Sequence, residues 1–437
     1  MNRLLRPASL LLAFAGLAAF GCLSNAATAQ PLTLTPFKPS GIYALGERVG
    51  WTVARAPGAA NAVNGFAYTI KRNNLDVIQS GNLSLESGGA VIETKLTEPG
   101  MLYVSVSPSA TDGKPIVVGA AVAPEALQPA VPCPADFDAF WAAKISLLKA
   151  VPVGAVITPG ESGKEGVEYA TIRLDSSRGA HVYGQLAKPA RAGKFPAVLL
   201  MQWAGGPYPL QKSWVTDRAA EGWLALNVEP HDVPGDLPPD FYAALPELIK
   251  HYNTIYDDDR DRNYFLQMYL GDYRALDYLA SRSDWDGKIL LVTGTSMGGQ
   301  QSFAVAGLHP QVTHLIVHVP AGADANGALH GRGPGYPFWD KANPKVMETA
   351  RYFDTVNFAS RIKATCLVSM GFVDDIAPPV GIWTAFDQIP GPKEAVPLVD
   401  APHNNLATAD QQRAYAVRSA QWFAALVKGT VPDEKRR

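Results

Sequence analysis

A serine hydroxyl is a weak nucleophile at neutral pH unless a base takes its proton and a third group holds that base in register. This chain carries residues of all three types in an order that suits such a relay. Ser296 lies in Gly294-Thr295-Ser296-Met297-Gly298-Gly299, between an apolar run at 289–293 and a helix-like run at 300–308. That is the strand, sharp turn and helix of a nucleophile elbow, in which small residues let the backbone turn tightly enough to lift the hydroxyl clear of the sheet. A plain glycine-rich strand-to-helix turn shares this composition, so the partners downstream decide the reading.

A second apolar run, Thr365-Cys366-Leu367-Val368-Ser369-Met370, leads into Gly371-Phe372-Val373-Asp374-Asp375 and places a carboxylate just past a strand end. His403 follows in Pro402-His403-Asn404-Asn405 and is the only histidine after Asp374. Read singly, an Asp shortly before Pro378-Pro379 suits a turn or a helix cap, and a Pro-His-Asn-Asn loop suits solvent. Read together, each at the end of an apolar run and in the order serine, acid, histidine, they point to acyl transfer by Ser296 with His403 as base and Asp374 as orienting acid. Residue types alone barely separate Asp374 from Asp375. The loop Trp203-Ala204-Gly205-Gly206-Pro207 follows an earlier strand, where small residues let a backbone amide approach a developing oxyanion. The expected oxyanion donors are the amide of Met297 and that of Ala204 or Gly205.

The elements that must carry these residues fall into two parts. Short β-like runs at 49–54, 65–71, 90–96, 101–108 and 115–123 alternate with turn signals, and predict an Ig-like β-sandwich over residues 31–123. A proline-rich linker at 124–134 follows, with the pattern of a boundary that would leave the first part a separable unit. From Asp136-Phe137-Asp138-Ala139-Phe140-Trp141 onward, helices alternate with apolar strands at 197–202, 223–228, 289–293, 315–319 and 366–370. That alternation predicts an α/β fold with a mostly parallel sheet over residues 135–430. A last helix at 408–427, opened by a Thr408-to-Gln411 capping box, places Tyr415, Trp422, Phe423 and Leu426 on one face near His403. Between them, the glycine-rich segment 322–339 holds Asp324, His330, Arg332, Tyr336 and Trp339. A loop there would overhang the nucleophile and, with Trp203, offer rings and hydrogen bonds to a sugar.

Composition excludes several classes. With 437 residues, 47% hydrophobic and 18% charged, the chain is too long for one typical core and too apolar for disorder. A net charge of -2 provides no field for nucleic acid. Arg3 and Arg6, an apolar stretch at 8–23 and Ala27-Thr28-Ala29 read as a signal peptide over residues 1–29, cleaved before Gln30, which makes the mature protein secreted or periplasmic. Cys22 after Ala19-Phe20-Gly21 is an imperfect lipoprotein signal, and lipid anchoring there is the alternative. No later segment has the length of an integral membrane span. Cys133 and Cys366 read as separate thiols rather than a disulfide, and no spacing suggests a metal site. The run Asp257-Asp258-Asp259-Arg260-Asp261-Arg262 lacks an EF-hand pattern and reads as a solvated loop. The chemistry needs no cofactor.

Pro134-Ala135-Asp136-Phe137-Asp138-Ala139-Phe140-Trp141, Tyr273-Arg274-Ala275-Leu276, Gly371-Phe372-Val373-Asp374 with Pro378-Pro379, and Gly391-Pro392-Lys393-Glu394 resemble the acetyl xylan esterase and cephalosporin-C deacetylase family of α/β-hydrolases. The resemblance covers about 130–428. It implies Ser296 as nucleophile, Asp374 rather than Asp375 as acid, His403 as base, and removal of acetyl groups from sugars. The chain departs from the family where Asn227-Val228-Glu229-Pro230-His231 replaces an Arg-Gly-Gln motif, where Met297 replaces Gln, and where Asn404 replaces Glu after the histidine. The expected partner is an esterified polysaccharide or oligosaccharide. A serine peptidase of the same fold, or a non-catalytic carbohydrate-binding protein on a hydrolase scaffold, are the other readings.

Overall fold

The computed structural model describes residues 32–57, 65–86, 88–109, 114–404 and 409–430. The expected signal peptide, Cys22 and the expected capping residue Thr408 therefore lie outside the described residues.

The N-terminal strands are β1 (Leu32–Pro36), β2 (Ile42–Tyr43), β3 (Val49–Arg55), β4 (Gly65–Arg72), β5 (Asp76–Ser84), β6 (Ala90–Thr94), β7 (Gly100–Pro108) and β8 (Ile116–Val122). They form two sheets, in the orders β1-β3-β6 and β2-β8-β7-β4-β5. Val49, Trp51 and Val53 of β3 share one buried core with Leu102, Val104 and Val106 of β7 and Val118 and Ala120 of β8. The alternation of inward and outward residues along β7 is the period of two expected for a strand with one wet face. No apolar run announces β5. Its residues are largely exposed and polar, and backbone pairing to β4 alone makes it a strand.

The C-terminal strands are β9 (Val156–Gly160), β10 (Val167–Asp175), β11 (His181–Pro189), β12 (Phe195–Met201), β13 (Leu224–Val228), β14 (Trp285–Thr295), β15 (His314–His318), β16 (Thr365–Gly371) and β17 (Lys393–Leu398). They pair in the order β17-β16-β15-β14-β12-β13-β11-β10-β9. Strands β12 to β17 run parallel, and β9, β10 and β11 add an antiparallel edge through the pairing of β11 with β13.

The parallel strands read as unbroken apolar runs because both faces are covered. On β12, Ala197, Leu199 and Met201 face one core, with Leu276 and Leu279 of the long helix Tyr264–Ser281 and Phe303 of the helix Met297–Leu308. Val198 and Leu200 face the opposite core, with Val215, Ala219, Trp422, Phe423 and Leu426. The last helix spans Arg413–Val427 and has no side-chain cap. Gln411 and Gln412 instead donate to the carbonyls of Asp400 and Pro402, at 2.7 and 3.2 Å, and so brace the loop that carries His403.

Candidate active site

The turn from β14 into the helix Met297–Leu308 is closed by backbone contact. A Cβ on Gly294 would lie 2.4 Å from the carbonyl carbon of Gly298, and one on Gly298 would lie 2.6 Å from the Met201 oxygen. Only glycine fits at either place. Ser296 itself has φ 58° and ψ -121°, a conformation that costs a non-glycine residue on the order of 1–3 kcal/mol. Its N–H donates to the His318 carbonyl at 3.0 Å, which ties the turn to β15.

The structure brings the three separated residues together. His403 Nε2 is 2.9 Å from Ser296 Oγ, and His403 Nδ1 is 2.8 Å from Asp374 Oδ2. The other carboxylate oxygen of Asp374 accepts the N–H groups of Ile376 and Ala377 at 2.9 and 2.8 Å. Burial pushes the Asp374 carboxyl above its ordinary range, opposed by the hydrogen bond and charge of His403 and by those two amides. Asp375 is exposed, and the carboxylate that His403 meets is that of Asp374.

The first helical residue, Met297, follows the serine directly and has no intrahelical acceptor for its N–H by position. The facing loop is fixed from two sides. Gln301 Nε2 donates to the Gln202 carbonyl at 3.0 Å, and His231 Nε2 lies 3.0 Å from the Gly205 carbonyl. His231 Nδ1 lies 2.9 Å from the Tyr264 hydroxyl. Burial lowers the His231 pKa to about 4, so the ring is neutral near pH 7, with Nε2–H donating to Gly205 and Nδ1 accepting from Tyr264. The Met297 side chain is held likewise. Its sulfur lies 2.9 Å from the Tyr252 hydroxyl and 3.3 Å from the Tyr336 hydroxyl, and the two hydroxyls share a hydrogen bond of 2.5 Å.

The residues expected to contact a sugar separate into two groups. Trp203 is exposed at the rim, stacked on Tyr208 and edge-on to Trp214. His330 is exposed as well. Tyr336 reaches the elbow through Met297. Arg332 does not present a free cation, because its guanidinium is taken by Asp324, by the Gln128 carbonyl at 2.8 Å and by Thr384 Oγ1 at 3.3 Å. Trp339 is likewise engaged, its indole N–H donating to the Asn253 carbonyl at 3.0 Å and its ring packed on Phe265 and Phe353. Both thus tie segment 322–339 to neighbouring parts of the chain.

His231, Tyr252, Tyr264, Gln301 and His318 escaped the sequence reading. One signal pointed to the first: His231 lies just past β13, and β13 neighbours β12, so it emerges beside the loop it holds. His318 was hidden inside an apolar strand. Its Nδ1 lies 2.6 Å from Ser369 Oγ and its ring stacks on Tyr415 at 4.3 Å, near enough to His403 to feel its charge. Cys133 and Cys366 are both unpaired thiols. No group of three or more potential metal ligands occurs among the described residues.

A mostly parallel sheet, a strained serine between strand and helix, and a histidine and aspartate on the loops after later strands are the architecture of the α/β-hydrolase fold. Comparison with known proteins narrows the class: the acetyl xylan esterase (AXE1) family profile matches residues 125–330 and 337–421, and the chain belongs to that family. It is 32% identical over 342 residues to the acetyl esterase Axe7A of Xylanibacter ruminicola, covering 76% of this chain and 77% of that one. Among solved structures, an acetyl xylan esterase from a Paenibacillus species matches with a TM-score of 0.57 and 23% identity, over 68% of this chain and 98% of its own. Acetyl xylan esterase from a Thermoanaerobacterium species gives 0.58 and 20%, over 69% and 97%. These two likenesses bear on the fold. No helix among the described residues is long and apolar enough to cross a membrane.

Proposed function

We propose that the protein is an exported serine esterase that removes acetyl groups from a carbohydrate through an acetyl-enzyme. The observation that carries this reading is the continuous hydrogen-bonded line from Ser296 Oγ through His403 to Asp374. His403 Nε2 takes the hydroxyl proton as Oγ attacks the ester carbonyl, and Asp374 stabilises the imidazolium through Nδ1–H. The amides of Met297 and of Ala204 or Gly205 receive the oxyanion, each contributing roughly 3 kcal/mol by analogy with mapped donors. The imidazolium then protonates the leaving sugar oxygen. Water, deprotonated by the same His403, attacks the acetyl-enzyme, and acetate leaves as Ser296 regains its proton.

The acetyl and sugar preference rests on the family and on the names of the relatives, which are acetyl and acetyl xylan esterases. Export rests on the charged, apolar and small-residue sequence of the first 29 residues. Ser296→Ala should lower acetate release from acetylated xylo-oligosaccharides by several orders of magnitude without unfolding the protein. It should also abolish labelling by a serine-directed phosphonate. Wild-type protein that neither labels nor releases acetate would support the non-catalytic scaffold reading, and cleavage of peptides in place of esters would support the peptidase.

A further inference from the structure

The loops that carry the acid and the base leave the sheet at the ends of neighbouring strands, β16 and β17. Both are pressed against the same strand of the N-terminal sheets. Gly119, in the middle of β8, donates its N–H to the Val399 carbonyl at 2.6 Å. A Cβ on Gly119 would lie 2.5 Å from the Phe372 Cβ and 2.7 Å from the Phe372 oxygen. Gly41, just before β2, makes the companion contact: its Cβ would lie 2.6 Å from Val399 Cγ1 and 3.2 Å from Phe372 Cε2. Phe372 lies two residues before Asp374, and Val399 lies four before His403.

A third contact comes from the turn between β4 and β5. Gly333 donates its N–H to the Asn73 carbonyl at 3.0 Å, and Asn73 Nδ2 donates to the Gly331 carbonyl at 3.3 Å. Asn73 is itself fixed by accepting the Met101 N–H at 3.0 Å. Met101 and Ala121 belong to the same apolar cluster as Phe372 and the inner face of the large sheet. A tethered module would meet its neighbour through few contacts across a flexible linker. Here two backbone glycines are in van der Waals contact with the residues that aim the triad.

From these contacts we infer that the N-terminal two-sheet unit is a positioning scaffold for the acid and base loops, so that the active site is built across both parts of the chain. The elbow and the oxyanion loop belong to the large sheet alone. The placement of His403 and Asp374 against them is therefore set by how β8 seats Phe372 and Val399. This inference rests on the triad reading, and it departs from the separable unit that the proline-rich boundary suggests.

The test uses the full-length protein. Gly119→Ala forces Phe372 away from β8, and a displacement approaching 1 Å at a reacting group costs up to about a hundredfold. Its kcat on 4-nitrophenyl acetate should fall roughly tenfold to a hundredfold with KM within about threefold, and phosphonate labelling should slow by the same factor as kcat. Val104→Ala, in the unit's own core, should lower Tm while leaving kcat near wild type. A folded Gly119→Ala protein with wild-type kcat, or a Val104→Ala protein losing as much kcat at equal Tm, overturns the inference. Should Gly119→Ala not fold, Phe372→Leu takes its place: loss of kcat at steady KM supports the scaffold, and unchanged kcat rejects it. Wild-type turnover and labelling, together with their loss in Ser296→Ala, test the underlying triad reading independently, so its failure is distinguishable from failure of the scaffold.

Discussion

His231 Nε2 lies 3.0 Å from the carbonyl oxygen of Gly205, and the Tyr264 hydroxyl occupies the other ring nitrogen at 2.9 Å. The same ring packs edge-on to Tyr252, with centroids 4.8 Å apart, and the Tyr252 hydroxyl reaches the Met297 sulfur. One buried imidazole thus touches the supports of both proposed oxyanion donors. The family motif that this chain lacks falls at this same place. A neutral histidine fixes the Gly205 carbonyl of the loop proposed to supply the second oxyanion amide.

His231→Leu should consequently lower kcat on a small acetyl ester by roughly tenfold to a hundredfold with little change in KM, the size of effect that misplacing an oxyanion donor produces. His231→Gln, whose amide N–H still reaches a carbonyl, should recover much of the loss. Equal activity in the two variants would show that Gly205 is held by the loop's own packing.

Asp374 and Asp375 provide a second comparison. Asp374 is fully buried against His403, whereas Asp375 is exposed. Asp374→Asn should cost about 10,000-fold in kcat, since an amide at Oδ2 favours the wrong histidine tautomer. Asp375→Asn, a surface change, should stay within roughly twofold. Steady-state rates on one acetyl ester decide between them, and the reverse ranking would move the acid to Asp375.

Much of this site was legible because its demands on sequence are local. An elbow needs Gly294 and Gly298, each of which would otherwise strike backbone, so the motif is readable before the fold is known. A strand buried on both faces announces itself as an apolar run, which is why 366–370 and 315–319 mark β16 and β15 so closely. Supports that act across distant segments leave no such trace. Arg332 reads as one of the hydrogen-bonding residues of a glycine-rich loop, and nothing local reveals that Asp324 eight residues back and the Gln128 carbonyl hold its guanidinium. Thr408 and Gln411 read as a capping box, but Gln411 turns to Asp400 and the helix begins at Arg413. The proline run at 124–134 reads as a boundary, because nothing local reveals that Gly119 packs on Phe372.

Gln412 extends the same logic to the histidine loop. Its Nε2 donates to the Pro402 carbonyl at 3.2 Å, one residue before His403, while Gln411 holds Asp400 at 2.7 Å. Gln411→Ala and Gln412→Ala together should lower kcat by several-fold to tenfold while KM and the far-ultraviolet spectrum stay unchanged, because loosened positioning costs rate rather than fold. Unaltered kcat in the double variant would show that β8 and the Asp374 bond suffice to seat His403.

The last expectation concerns acid stability and His318. Burial lowers its pKa from 6.5 to about 3, with repulsion from His403 as a smaller cause. Above pH 6.5 the ring is neutral in both folded and unfolded chains and contributes no pH dependence. Between pH 6.5 and about 3 the unfolded chain binds a proton that the folded protein refuses, so stability falls as the pH falls. The slope is about 1.4 kcal/mol per pH unit for one such group. His318→Gln keeps a polar atom within reach of Ser369 but cannot titrate. It should be less stable than wild type at pH 8, through lost stacking on Tyr415, and the difference in Tm should shrink steadily as the pH is lowered from 6.5 toward 4. Melting curves of both proteins across that range check the sign, and a gap that stays constant would mean that His318 already carries its proton in the folded protein.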